Sequence, residues 1–163
     1  MKRFTLILLC LCLLPIWGCS SHDAPKGVAF YYCASLPAYT ADSSAITPEY
    51  RAEISDGTLL ELLDLYLKGP ISADLTSPFP EGLQIVSAIV EGDTVQVVVS
   101  LEMAALTGLD LTIACSCLTL TCLAYTEAEQ VEIRPVYGLL DGQRMIIMNK
   151  ETILLTGQSK MAQ

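Results

Sequence analysis

Gln84 to Ser100 reads QIVSAIVEGDTVQVVVS, and it is the stretch on which the fold turns. Two runs rich in β-branched residues, Gln84 to Val90 and Thr94 to Ser100, flank Glu91-Gly92-Asp93, a turn composition. Such a pattern forms a β-hairpin. Val95, Val97 and Val99 alternate with Gln96 and Ser100 at the strand period of two. The three valines are expected on the core face, Gln96 and Ser100 on the other, and Val98 only partly protected. A sheet with one apolar face needs a covering layer, and the sequence supplies a helix on each side.

Upstream, Thr58 and Glu61 have capping-box spacing. Leu59, Leu62, Leu63 and Tyr66 recur on one helical face, with Glu61, Asp64 and Lys68 opposite and Asp64 able to pair with Lys68. Gly69-Pro70 ends this helix, and a loop carrying Pro70, Pro78 and Pro80 runs to Gly82. Downstream, Thr107 and Asp110 mark a second helix start, with the acid near the positive end of the helix dipole. Leu111 to Tyr125 is apolar nearly all round, interrupted by Thr112, Ser116, Thr119 and Thr121. It is short for a bilayer span, which takes ~20 residues, and its hydroxyls favour a central helix packed under a sheet.

Further out, Gly27 to Cys33 reads as a strand, and Tyr50 to Ile54 as a second short one. Val131 to Tyr137 is another, and Pro135 within it implies an edge or a bulge. Asp141-Gly142 turns the chain, and Met145 to Met148 with Thr152 to Leu155 suggests a last hairpin around Asn149-Lys150. No internal repeat is present. The order β-α-β-β-α-β implies one mainly antiparallel sheet packed by two helices, an α+β two-layer sandwich. It forms a single domain over 27–157, with 158–163 a frayed tail.

The N-terminus carries an address. Lys2 and Arg3 precede an apolar run from Phe4 to Leu14 that has the proportions of a secretory signal. After Pro15, Ile16-Trp17-Gly18-Cys19 resembles the bacterial lipobox. The expected outcome is cleavage of residues 1–18 and a diacylglyceryl thioether on Cys19; an ordinary secreted protein is the other reading. Two or more acyl chains anchor firmly where one does so marginally, at ~0.8 kcal/mol per buried methylene. Removing the leader takes away Lys2 and Arg3 and no acid, so seven bases face eighteen acids, a charge of −11. Anionic headgroups repel such a body, so the lipid itself is the membrane contact. It holds the domain on the extracytoplasmic face through a polar tether over residues 19–26.

Composition excludes several functions. The chain has 163 residues, 52% hydrophobic and 17% charged, with a formal charge of −9. Its pI near 4.4 argues against nucleic acid, which needs clustered Lys and Arg. No G-x-S-x-G elbow, phosphate-cradling glycine loop or H-E-x-x-H occurs. His22, the one histidine, lies in the tether, so neither a Ser-His nor a Cys-His nucleophile pair is available to the folded body. Glu61/Asp64 and Glu91/Asp93 are carboxylate pairs of the kind glycosidases use, but they read better as a solvated face and a turn. No catalytic residue is assigned.

Seven cysteines resemble a disulfide scaffold until they are sorted. Cys10 and Cys12 leave with the leader and Cys19 is alkylated; Cys33, Cys115, Cys117 and Cys122 remain. Cys115 and Cys122 would lie ~10 Å apart along one helix, too far for a disulfide. Cys115-Ser-Cys117 is not a zinc or redox spacing. Buried thiols acting as small hydrophobes are favoured, with a bridge from Cys33 to the helix as the other possibility. No metal site or cofactor is expected beyond the lipid on Cys19.

Three local patterns from Leu59 onward carry a family likeness. They are the leucine-rich helix ending in Leu67-Lys-Gly-Pro70, the run Leu75-Thr-Ser-Pro-Phe-Pro-Glu-Gly82 leading into the hairpin, and Leu106-Thr-Gly-Leu-Asp-Leu-Thr112, which opens a helix continuing through Cys117-Leu-Thr-Leu-Thr121. Together, over about residues 28 to 142, they resemble the GerMN domain of sporulation and spore germination proteins. The resemblance implies a non-catalytic module of Gram-positive envelope and sporulation proteins, with a fold similar to ring-building domains of secretion and sporulation complexes. Some relatives sit beside cell-wall amidase domains, and no amidase domain fits here. The same residues also have mechanical roles: Pro78, Pro80 and Gly82 stiffen a turn, and Gly69 caps a helix.

The implied function is a lipid-anchored interaction or scaffold domain in sporulation, germination or cell-envelope assembly, its partners being envelope or sporulation proteins or further copies of itself. Its contact surface would be an open sheet edge or the Pro-rich loop. A solute- or glycan-binding lipoprotein is the alternative, with Tyr31, Tyr32, Tyr39 and Tyr50 as candidate pocket residues.

Overall fold

The hairpin read from Gln84 to Ser100 is present in a computed structural model of the chain, which describes residues 27–35, 45–52 and 57–153. In chain order the strands are β1 (Val28–Ala34), β2 (Ile46–Arg51), β3 (Leu75–Thr76), β4 (Ile85–Glu91), β5 (Thr94–Val99), β6 (Gln130–Pro135) and β7 (Ile146–Asn149). The helices are α1 (Leu59–Tyr66) and α2 (Gly108–Tyr125), with a 3-10 turn over Leu101–Ala105. The α+β sandwich expected from the sequence is the architecture observed.

One feature of that expectation is corrected. The strands form two sheets, ordered β2-β1-β3 and β4-β5-β6-β7, where the sequence suggested one. The reason lies at β1. It pairs antiparallel with β2, from Val28 with Arg51 to Cys33 with Ile46, and its far edge meets β3 only at Cys33 and Ala34. At Tyr31 the remaining backbone groups are satisfied by side chains. The Tyr31 N–H donates to Thr121 Oγ1 at 3.0 Å, and its carbonyl accepts from the Tyr66 hydroxyl. With those groups bonded, β1 has no need of a strand from the hairpin sheet.

In the second sheet β4 and β5 are antiparallel with a bulge between Ile85 and Ser87, β5 and β6 are parallel, and β6 and β7 are antiparallel. A parallel pair needs a long crossover, which the 3-10 turn and α2 provide. Val95, Val97 and Val99 are fully buried and Gln96 and Val98 half-buried, matching the alternation. They share one core with Val131 and Ile133 of β6 and with Leu111, Ala114, Leu118 and Cys122 of α2. Although α2 is apolar enough to pass for a membrane span, it packs on β1 of one sheet and β6 and β7 of the other.

Local signals fare unevenly. Thr58 and Glu61 form the reciprocal capping box, and Leu59, Leu62, Leu63 and Tyr66 are the buried face of α1. Thr107 is the N-cap position of α2 but makes no side-chain cap bond; Asp141 Oδ2 accepts from the Gly108 N–H at 3.0 Å instead. Gly108 and Asp141 both have positive φ, 54° and 48°, which shapes that meeting. Asp64 and Lys68 do not pair; the ion pair among the described residues joins Arg51 to Glu49 at 2.6 Å.

Further corrections concern the strands. Strand β2 begins at Ile46, ahead of the expected Tyr50 to Ile54. Pro135 closes β6, an interior strand, beyond the last residue that pairs with β7. Among the described residues no hairpin follows β7: Asn149 Oδ1 accepts from the Thr152 N–H and hydroxyl, both at 2.8 Å, and caps a helical turn over residues 150–153. The leader 1–18, Cys19 and the tether 19–26, Tyr39, Glu53-Ile54, Leu154-Leu155 and the tail 158–163 lie outside the described residues.

Candidate functional site

The sheet β4-β5-β6-β7 buries one face and leaves the other without a covering element among the described residues. The pairing registers place Ile89, Gln96, Glu132 and Ile147 in one row across that outer face, with Ser87, Val98 and Arg134 in the next. The row is apolar at both ends and polar in the middle. Gln96 Nε2 donates to Glu91 Oε2 at 2.9 Å, and Gln130 Nε2 to Thr94 Oγ1 at 2.8 Å, so Gln96 and the polar groups toward the β4–β5 turn are bonded within the sheet.

Strand β4 is the edge of this sheet, pairing only with β5 among the described residues. Val86, Ile89 and Val90 on it are each about half exposed, Ile89 at 53%. An edge strand presents unpaired N–H and C=O groups to any incoming strand, and these three apolar side chains stand beside that row. The bulge at Ile85/Ser87 twists the start of the edge, and Glu91 ends it. A second apolar patch lies at the end of β5 and β6, where Leu101, Val136, Tyr137 and Leu139 are exposed and Tyr137 reaches 77%. There Leu101 Cδ1 sits 3.9 Å from where a Cβ on Gly138 would stand. The sequence named the hairpin but could not show which of its strands is the edge.

The Pro-rich loop is a less open surface. Leu75-Thr76 within it forms β3, and Phe79 packs edge-on against Tyr66 at 5.3 Å. Glu49 Oε2 accepts from the Ile71 and Ser72 N–H groups at 2.9 and 2.8 Å. Arg51 completes this clasp. Its guanidinium lies 4.7 Å from the Phe30 ring centroid and donates to Tyr32 Oη at 3.1 Å and to the Gly69 carbonyl at 2.7 Å. Burial pushes the Tyr32 hydroxyl up to about 12, against the pull of Arg51. The Glu49 carboxyl feels burial acting to raise it, and the Ser72 N–H, Arg51 and the Ile71 N–H overcome that to leave it below its ordinary value. Sequence reasoning missed the clasp, and the alternation Glu49-Tyr50-Arg51 was its one signal.

The three candidate tyrosines among the described residues do not converge. Tyr32 is fully buried against Tyr66, Tyr31 is half-buried, Tyr50 is exposed, and Tyr39 lies outside the described residues. A cavity of 180 Å³ lies beside Gly108, Leu111, Asp141 and Met148, and a groove of 450 Å³ beside Leu123, Glu129, Asn149 and Lys150; neither is lined by an aromatic. The carboxylate pairs serve local structure, Glu61 bonding Thr58 and Asp93 bonding Thr94. Among the described residues no group of three metal-ligating side chains gathers. Cys33, Cys115, Cys117 and Cys122 are free thiols, the last three buried. Burial pushes the Cys115 and Cys122 thiols up to about 12.

A two-sheet α+β sandwich with an open edge and no gathered catalytic groups among the described residues is the kind of domain this site defines. The family model described as Germane, sporulation and spore germination, matches residues 35–145, and the chain belongs to that family. Among curated proteins none matches. Among solved structures the chain is similar to a crystal structure described as "Putative Lipoprotein from Clostridium perfringens", at 17% identity and a TM-score of 0.44, covering 76% of this chain and 87% of that one.

Proposed function

We propose that the chain is a non-catalytic interaction module of sporulation, germination or cell-envelope assembly, held at the extracytoplasmic face of the membrane by a lipid on Cys19. The observation that carries the contact surface is the unpaired β4 edge, with Val86, Ile89 and Val90 exposed beside it. A protein that adds a strand there gains main-chain hydrogen bonds and apolar contact together. The partner is an envelope protein or a second copy of this chain. The reading of an inert body is supported by the absence of histidine beyond His22 and by the structural use of Glu61 and Asp93. A solute or glycan receptor finds less support, since Tyr31, Tyr32 and Tyr50 stand in different environments.

The test uses the full chain in its native membrane. In-cell crosslinking should trap a partner or a homo-oligomer, and Ile89→Lys should reduce the adduct at least about tenfold by placing a charge against the incoming strand. An unchanged adduct would overturn the β4 assignment. The anchor is tested separately by mass spectrometry of the N-terminal peptide, which should carry diacylglyceryl on Cys19, and Cys19→Ser should leave the leader uncleaved.

A further inference from the structure

Strand β1 and helix α2 run antiparallel, and two contacts mark their register. The Tyr31 N–H donates to Thr121 Oγ1. Two residues further along β1, the thiol of Cys33 lies beside that of Cys117, one helical turn before Thr121 on the helix packed against this strand. The steps match: two strand residues advance ~6.7 Å and four helical residues ~6 Å. Both ends of this segment are thereby fixed, and the two sulfurs meet because the backbone register places them together.

We propose that Cys33 and Cys117 form a disulfide, a covalent tie between the three-stranded sheet and the central helix. Cys33 is half-buried and open to a small oxidant, whereas Cys117 is fully buried. The order of attack follows. The Cys33 thiolate attacks one sulfur of a disulfide-bearing oxidant, a small molecule or an oxidoreductase, and releases the other as a thiolate. Cys117 then attacks the Cys33 sulfur of the mixed disulfide, its proton passing to the second departing thiolate. Two protein thiols are oxidised to one disulfide, and the oxidant is reduced to two thiols. The hydrogen bond from Cys117 lowers the Cys33 thiol below its ordinary value, against burial and the nearby Asp110, and suits it to the first step. Cys115 and Cys122 take no part, since the thiol that stands against Cys33 on this helix is that of Cys117.

The bridge would close a loop from Cys33 to Cys117, long enough for a large entropic effect on the unfolded chain. It would leave the β4 edge untouched, so it stands or falls apart from the proposed contact surface. To test it, the full chain purified in detergent is equilibrated in mixtures of reduced and oxidised glutathione, blocked with a maleimide, digested and analysed by mass spectrometry. A Cys33–Cys117 linked peptide is expected, with a rise in Tm of about 10 °C that excess reductant reverses. Cys33→Ser and Cys117→Ser should each abolish both effects, and Cys115→Ser should abolish neither. Absence of the linked peptide from the folded wild-type chain at every ratio would overturn the proposal. So would a Cys33–glutathione adduct that Cys117 fails to resolve.

Discussion

The two sheets are stabilised by different chemistry. Around β1, β2 and α1 the interior is aromatic and directional. Phe30 stacks on Tyr66 at 5.5 Å, Phe79 meets it edge-on, the Tyr32 hydroxyl donates to the Tyr66 carbonyl at 2.9 Å, and Arg51 lies over two rings. Around β5, β6 and α2 the interior is aliphatic and sulfur-bearing, built from valines, Ile133, Leu118 and thiols with few polar atoms. The first depends on bonded geometry and charge, the second on filled volume. Perturbing each in its own terms should therefore separate them.

The largest effect is expected in the aromatic half. Arg51→Met removes the ion pair, the ring contact and the bonds to Gly69 and Tyr32, and leaves Glu49 without its cation, at a loss of about 3 kcal/mol in denaturant unfolding. The pH dependence should change as well. The folded Glu49 carboxyl lies below its ordinary value, so its stabilisation is present above the unfolded carboxylate range and is lost as pH falls through the folded pKa. Melting scans of wild type should show that loss on the acid side, and those of Arg51→Met a shallower one. An equal slope in both would break the comparison.

Val97→Ala, in the aliphatic half, should cost about 2 kcal/mol through lost burial and a residual cavity, with the wild-type acid slope retained. The smallest effect has the opposite sign. Thr119 is fully buried on α2 and its hydroxyl has no hydrogen-bond partner. Thr119→Val should raise stability by about 1 kcal/mol, since an apolar group of the same shape removes the unsatisfied hydroxyl. A loss there would mean that the aliphatic half also relies on a polar contact.

Legibility in the sequence followed the range of the interaction. Thr58 with Glu61 and the alternation of Val95, Val97 and Val99 are local patterns, and the structure bears out both. Asp141 capping Gly108, or Thr121 bonding Tyr31, joins residues 33 and 90 apart, and a one-dimensional period carries no trace of such a meeting. The division into two sheets followed from those long-range bonds, so it too was hidden. Arg51 was hidden differently, because nothing in the sequence shows the rings that lie beneath its guanidinium. Of the candidate site, the hairpin could be read from the sequence, but its free edge depended on which strand β6 would join.

The cap on α2 also bears on the order in which the chain can mature. Asp141 leaves the ribosome well after Gly108, so the most apolar helix emerges with its first amide unpaired and its covering strands β6 and β7 still unmade. A polypeptide cut short before Gln130 would keep that greasy segment seated on β1 alone, without β6 and β7. Quality-control proteases should therefore clear such nascent fragments faster than fragments that extend past β7.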